Sequence, residues 1–202
     1  MYLVRPPYLL KKLYPKATWR KDPAEKKLYL TFDDGPVPGV TPWVLDVLKE
    51  KNIKATFFCV GENVQKNNAI YQRILAEDHR AGNHTFNHLN GWKTHTDQYI
   101  QNIEKCSELV KTNLFRPPYG KLKKAQSQWA AQQHSIIMWD VLSGDYDKQT
   151  TPEKCLSNVL SHVRNGSVIV FHDSYKAEEK LMYALPKFID WALEKGYQFE
   201  IL

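Results

Sequence analysis

The sequence predicts an α/β fold, a (β/α) barrel of about seven strands that is incomplete against the standard eight. Short apolar stretches rich in Val, Ile, Phe and Tyr alternate evenly with longer stretches of helical periodicity, which is the signature of parallel strands joined by crossover helices. Several of the short stretches stop on chemically active residues: Asp33-Asp34, His84, Arg116 and His172. Parallel α/β folds place their chemistry at such C-terminal strand ends. The length, 202 residues with 43% hydrophobic and 25% charged, suits one well-buried core. A doubly wound open sheet is the alternative, because periodicity does not separate it from a barrel.

Residues 1–27 are basic, contain Pro6, Pro7, Pro15 and Pro23, and read as an irregular arm, either a packing extension of the core, which is the favoured reading, or one with a short helical or membrane-surface piece at Tyr8 to Tyr14. The first strand follows at Leu28-Tyr29-Leu30-Thr31-Phe32 and is stopped by Gly35-Pro36. Thr41 as cap and Pro42 at the first helical position predict a helix to about Lys51. Lys54 to Gly61 is the second strand, Ala69 to Ala76 the second helix, and Arg80 to Asn83 leads into His84. A long amphipathic helix spans Asp97 to Lys111, then a short strand Leu114 to Arg116 ends at Pro117-Pro118. The remaining elements are a helix at Ala125 to Gln133, a strand at Ser135 to Trp139, a Thr151-capped helix at Pro152 to Val163, and a strand at Ser167 to Phe171. A last helix, Lys176 to Lys195, carries a proline that predicts a kink at Pro186, and Gly196 precedes a closing strand at Gln198 to Ile201.

Composition excludes several classes. Cys59, Cys106 and Cys155 are odd in number and far apart, so they predict small buried hydrophobes and not a disulfide framework or thiolate metal site. The formal net charge of +6 favours anionic partners, with the lysines distributed along the chain and not massed in one block. No helix-turn-helix, zinc-finger or RNA-recognition signature accompanies that charge, so nucleic acid is not expected as a partner. No apolar run is long enough to span a bilayer and the N-terminus does not read as a signal peptide. The expectation is a cytoplasmic chain, or an extracytoplasmic one if a leader was removed.

The active residue types form four clusters. Successive side chains of a strand alternate in direction, so Asp33 and Asp34 are expected to sit in two environments and do two jobs. A solvated Asp-Gly-Pro turn is the plainer reading. His84-Thr85-Phe86-Asn87-His88 spaces two imidazoles by four, so one helical turn would aim both at a single metal ion. Neither histidine is followed by the glutamate of the His-Glu-x-x-His proteases, so a base must come from elsewhere. One of the two aspartates can complete a two-histidine, one-carboxylate site and the other can activate water; iron oxygenases use the same ligand count, although the spare aspartate favours a hydrolytic, zinc-type site. In Arg116-Pro117-Pro118-Tyr119-Gly120, the prolines fix the backbone and Arg116 can hold a carboxylate ionised. Val168 to Phe171 ends on His172, which is placed for proton transfer, although a core histidine satisfied by backbone is the commoner fate of a lone one.

These clusters in this order resemble the polysaccharide deacetylases of the NodB-homology group, carbohydrate esterase family 4, whose first three motifs look like Thr31 to Gly35, His84 to His88 and Arg116 to Gly120. The resemblance implies that residues 28–202 are a NodB-like deacetylase domain with a distorted (β/α) barrel. It implies a divalent metal held by Asp34, His84 and His88, with zinc expected and cobalt or nickel as alternatives. It further implies Asp33 as catalytic base, Arg116 as its orienting partner, the Tyr119 backbone N–H as an oxyanion donor, His172 as general acid and Asp145 as the group that tunes it. The family's Asp-x-x-Asp-Trp is altered here: Leu142 stands at the first acid and Tyr146 at the tryptophan, while Asp145 is kept. The family's Leu-x-His becomes Val170-Phe171-His172, which alters a wall near the acetyl methyl. Trp92, Tyr119 and Tyr146 are candidate stacking surfaces for sugars, with at least one of them expected to belong to the core. The implied partner is an acetylated, N-acetylglucosamine-containing glycan, with peripheral membrane or cell-wall association. A deformylase or other C–N hydrolase acting on a lipid-linked or small substrate, an O-deacetylase acting on xylan, and a glycan-binding module with an idle metal site are the competing readings.

Overall fold

The computed structural model describes residues 3–202. In chain order the elements are α1 (Tyr8–Leu13), β1 (Lys27–Asp33), α2 (Val40–Glu50), β2 (Thr56–Cys59), α3 (Gly61–Lys66), α4 (Asn68–Ala76), β3 (Arg80–Asn83), α5 (Thr96–Leu109) and β4 (Leu114–Phe115). They continue with α6 (Lys124–Gln133), β5 (Ser135–Ile136), β6 (Val141–Leu142), α7 (Pro152–Leu160), β7 (Val168–His172), α8 (Glu178–Glu194) and β8 (Gln198–Phe199). Seven strands run in the order β5-β4-β3-β2-β1-β7-β6, every named pair is parallel, and β8 adds to the start of β1. That order follows the chain around a circle and has no reversal, so the sheet is a barrel opened between β5 and β6, not a doubly wound sheet.

The opening is where the N-terminal arm lies. Thr18 N–H donates to the Ile136 carbonyl (2.8 Å), Met138 N–H donates to the Thr18 carbonyl (2.8 Å), and across the gap Leu142 N–H donates to the Val4 carbonyl (2.8 Å). These bonds satisfy backbone groups of an edge that a closed barrel would not expose. Tyr14 and Trp19 bury their rings against α5, α6 and the end of β5, which anchors the arm.

Alternation along β1 divides its side chains between an outer and an inner cluster. Leu28, Leu30 and Phe32 point outward and pack with Val44 and Leu48 of α2 and Phe188 and Ile189 of α8. Tyr29, Thr31 and Asp33 point into the barrel, where Tyr29 meets a small cluster of Phe58, Leu114, Ile137 and Val168. The inner residues therefore rise in layers from an apolar floor to a carboxylate at the rim. Gly82 of β3 is registered against Phe58 of β2, and a Cβ at Gly82 would run into the Phe58 ring.

Most expected elements are present, with instructive exceptions. Helix α2 is capped at Gly39, not Thr41, whose hydroxyl instead accepts the Val37 N–H (2.8 Å) and donates to Asp173 (2.6 Å). Helix α3 went unpredicted because only Val64 anchors its polar sequence, and β6 because it has two residues. Strand β5 stops at Ile136 and α7 at Leu160, short of the expected Trp139 and Val163. Pro186 lies inside the unbroken α8. The Thr151 cap and Pro152 start of α7 are as predicted, and all three cysteines are buried and free. Among the described residues no helix is long and apolar enough to cross a membrane.

Gly82→Ala should cost about 1–3 kcal/mol in urea denaturation, since the added methyl must displace the Phe58 ring inside a packed barrel. An unchanged midpoint would show that Phe58 has room to move.

Candidate active site

Asp33 ends β1 and Arg116 follows β4, and the barrel brings them together in its interior. Arg116 Nη1 lies 2.6 Å from Asp33 Oδ1 and 2.7 Å from Thr31 Oγ1. Its Nη2 donates to the Met138 carbonyl (3.0 Å) and its Nε to the Ile137 carbonyl (3.3 Å). The guanidinium carbon sits 4.0 Å over the Phe58 ring. Each of the three guanidinium nitrogens thus has at least one acceptor, which holds the buried group in place. One oxygen of Asp33 is thus committed to Arg116, and the other lies 3.9 Å from His84 Nε2.

His84 emerges from the end of β3. Its Nδ1 is 2.8 Å from the Arg116 carbonyl, and because a carbonyl only accepts, Nδ1 carries the proton and Nε2 presents a lone pair. Burial pulls the His84 pKa down to about 4, against the pull of Asp33, so the ring is neutral and able to bind a metal. His88 Nε2 lies 3.2 Å from Asp34 Oδ1, and His84 Nε2 lies 3.8 Å from the same oxygen. One ligand atom from each of Asp34, His84 and His88 lies within 4.8 Å of the others, a spacing and donor set that fit one divalent cation. Burial works against the Asp34 carboxylate, but contact with His88 and the nearby His172 and His84 hold it well below the usual carboxylate range.

The route to this convergence differs from the sequence expectation. His84 to His88 is not a helical turn: Thr85 and His88 have left-handed backbones (φ 62° and 54°), and the loop is clamped by Asn102 Oδ1, which accepts both the Phe86 and Asn87 N–H at 2.9 Å. The two aspartates also share one environment. Asp34 has φ 85°, which turns its carboxylate back to the same rim as Asp33 when strict strand alternation would send it away. Asp173 holds that turn: its buried carboxylate accepts the Gly35 N–H (3.0 Å) and the Thr41 hydroxyl, and a Cβ at Gly35 would strike it. Asn63 adds a bond to the Asp34 carbonyl (2.7 Å). Asp173, Thr41, Asn63 and Asn102 were not found from sequence, where each is an ordinary polar residue; for Asp173 the available signal was its place after a strand-ending histidine.

His172 ends β7 in register with Asp33, so the two side chains stand side by side. Asp145, fully buried, accepts the His172 backbone N–H (2.7 Å) and lies 2.7 Å from Nδ1. Burial opposes a charged ring, but Asp145 by charge and hydrogen bond outweighs it and lifts His172 to about 9. The ring of Tyr146 packs edge-on against His172, with centroids 4.9 Å apart.

The catalytic-type groups open onto a cavity of about 490 Å³ walled by Trp92, Tyr119, Trp139, Leu142, Tyr146 and Val170. None of the three candidate aromatics is core: Trp92 is 53% and Tyr119 59% exposed, and Tyr146 lines the same cavity. Tyr119, with φ 61°, is the second residue of a 3₁₀ turn that begins at Pro118, so its N–H has no acceptor within that turn. Beyond Asp34 and His88 the groove continues into a second hollow of about 310 Å³ bordered by Glu62, Asn87, Ser174 and Tyr175.

A sequence profile described as polysaccharide deacetylase matches residues 20–138. This chain belongs to the polysaccharide deacetylase family. A family member from Bacillus cereus, a peptidoglycan-N-acetylglucosamine deacetylase, is 39% identical over 181 residues, covering 86% of this chain and 66% of its own length. The chain therefore spans just under two thirds of that relative. The crystal structure of a peptidoglycan N-acetylglucosamine deacetylase in complex with an N-oxidanyl-benzamide superposes with a TM-score of 0.90 at 35% identity, covering 98% of this chain and 95% of the other. The family fold also supports a pseudoenzyme of Bacillus anthracis, with TM-score 0.78, 25% identity and coverage of 90% and 65%.

In an NMR titration the His172 ring should titrate near 9, and Asp145→Asn should bring it down toward or below the ordinary imidazole value of about 6.5. Because folding raises this pKa, the couple stabilises the fold fully below about 6.5 and loses that contribution as pH rises through about 9. An unmoved titration in Asp145→Asn would break the couple.

Proposed function

We propose that this chain is a metal-dependent hydrolase that removes N-acetyl groups from N-acetylglucosamine residues of a glycan polymer, with peptidoglycan as the first candidate. The observation that carries the reading is the division of labour at the rim. Three donors converge at Asp34, His84 and His88, while the adjacent Asp33 is fixed by Arg116 and leaves one oxygen facing the same space. A pure glycan-binding module needs neither that oriented carboxylate nor a charged His172 beside it.

A divalent cation at Asp34, His84 and His88 would act as a Lewis acid toward the amide carbonyl and acidify water for attack. Zinc fits the nitrogen-rich donor set, and cobalt or nickel would be accepted by the same ligands. The N-oxidanyl-benzamide bound by the solved relative belongs to a chelating class, which supports metal dependence. Asp33 takes the proton from the attacking water, and Arg116 keeps it ionised and aimed. The Tyr119 N–H donates to the carbonyl oxygen as charge develops there, a type of contact worth about 3 kcal/mol in the transition state. His172, charged through Asp145, gives the departing amine its proton. Val170 and Leu142 line the cavity beside these groups and suit an apolar acetyl methyl.

The groove supports a polymer. Hollows open on both sides of Asp34 and His88, and exposed Trp92 and Tyr119 stand at one and Tyr175 at the other, as flanking sugar rings would require.

Metal-loaded protein incubated with chitin oligomers, peptidoglycan fragments, acetylated xylan and N-formyl sugars should release acetate from the glucosamine substrates, faster from oligomers than from the monosaccharide. A chelator should abolish release and added zinc should restore it. Formate alone would make the protein a deformylase, acetate from xylan alone an O-deacetylase, and tight sugar binding without hydrolysis a binding module.

A further inference from the structure

The basic character of this chain is not dispersed as its lysine distribution first suggests. Residues 1–21 hold six cations and no acid, namely Arg5, Lys11, Lys12, Lys16, Arg20 and Lys21, and the remaining chain balances 22 cations against 22 acids. The whole net charge of +6 therefore resides in the arm. The arm is also where large apolar side chains are left in solvent: Leu3, Tyr8, Leu9 and Leu13 are 58–74% exposed. Helix α1 is two-sided, with Leu10 packed inward toward the barrel while Leu9 and Leu13, one turn apart, face out beside exposed Lys12 and Lys16.

The geometry points to an anionic lipid surface as the partner of this arm: Leu9, Leu13, Tyr8 and Leu3 enter the headgroup boundary while Lys12, Lys16 and Lys21 face the lipid phosphates. Two features of the arm select this occupant. Solvent-exposed leucines gain nothing from nucleic acid or from a soluble polyanion, whereas hydrocarbon takes them. A second copy of the chain would bring an equally cationic arm, which charge repulsion disfavours. The bilayer interface alone offers negative charge and apolar depth together. Docking would not depend on a loose tail, because the arm is fixed: Asp140, fully buried, faces Lys11 at 3.7 Å and Arg5 at 3.9 Å, and Arg5 also bonds the His162 carbonyl. Leu3, Pro6 and Leu10 line the main cavity, so the docked arm holds the mouth of the groove beside the headgroups. Glycan close to the membrane would then be the substrate presented to it, a consequence that rests on the deacetylase reading, while the docking itself does not.

The test is co-sedimentation of the full chain with vesicles of phosphatidylcholine alone or mixed with phosphatidylglycerol, at low and high salt, alongside retention on dextran sulfate. The wild type should sediment with the anionic vesicles and be released by salt. Leu9→Ser with Leu13→Ser should weaken this roughly tenfold or more, and Lys12→Gln with Lys16→Gln should remove the preference for phosphatidylglycerol, each with an unchanged melting temperature. The idea is overturned if the wild type ignores both vesicle types, or if the leucine variant binds like the wild type. Retention by dextran sulfate without vesicle binding would assign the arm to a soluble polyanion. A dimer in light scattering that the leucine variant abolishes, again without vesicle binding, would assign it to a second copy.

Discussion

The contact on which the site depends is the buried ion pair of Arg116 and Asp33. Taking a guanidinium and a carboxylate out of water costs several kcal/mol per ion, and Coulomb attraction repays it only where the remaining donors are also satisfied. Here every guanidinium nitrogen has an acceptor, through Thr31, Ile137 and Met138 besides Asp33, with the Phe58 ring beneath. Gly82 makes space for Phe58, and Phe58 supports Arg116. The same residue also acts through its backbone, since its carbonyl fixes the tautomer of His84. One position at the end of β4 therefore aligns the candidate base through its side chain and a candidate ligand through its main chain. Replacing it by lysine would keep the charge and lose the fork that reaches four acceptors.

A second constraint is backbone strain. Four of the six non-glycine residues with positive φ among the described residues are Asp34, Thr85, His88 and Tyr119, all at the rim. Each costs on the order of 1–3 kcal/mol and persists only where neighbours over-determine it. Asp173, Thr41 and Asn63 do so for the aspartate turn, and Asn102 for the histidine loop. Asp173 is buried so completely that its carboxyl is pushed up to about 8, so this clamp stabilises through hydrogen bonds more than through charge.

Much of this was legible in the sequence for a simple reason. Strand-ending residues are marked by a change from β-branched and aromatic residues to Asp, His or Arg, and the barrel's parallel order gathers all such ends at one rim. Asp33, Asp34, His84, Arg116 and His172 were visible that way, and the family resemblance supplied Tyr119 and Asp145. What stayed hidden was conformational. A left-handed Asp34 and a non-helical His84 to His88 leave no composition signature, so strand alternation and a helical turn do not describe how these residues converge. Helix α3 and the two-residue β6 lack enough periodic positions to register, and the aromatic walls were underestimated because burial cannot be read from a lone Trp or Tyr.

The two adjacent aspartates hold different partners, one fixed by Arg116 and one turned toward His84 and His88 by a left-handed backbone. The measurement that bears on this most directly is metal stoichiometry and affinity in Asp33→Asn and Asp34→Asn after reconstitution with zinc. The expected division is that Asp33→Asn keeps a single equivalent of metal at near wild-type affinity while its hydrolysis is lost, and that Asp34→Asn no longer retains the ion. Full metal in Asp34→Asn with loss in Asp33→Asn would contradict it.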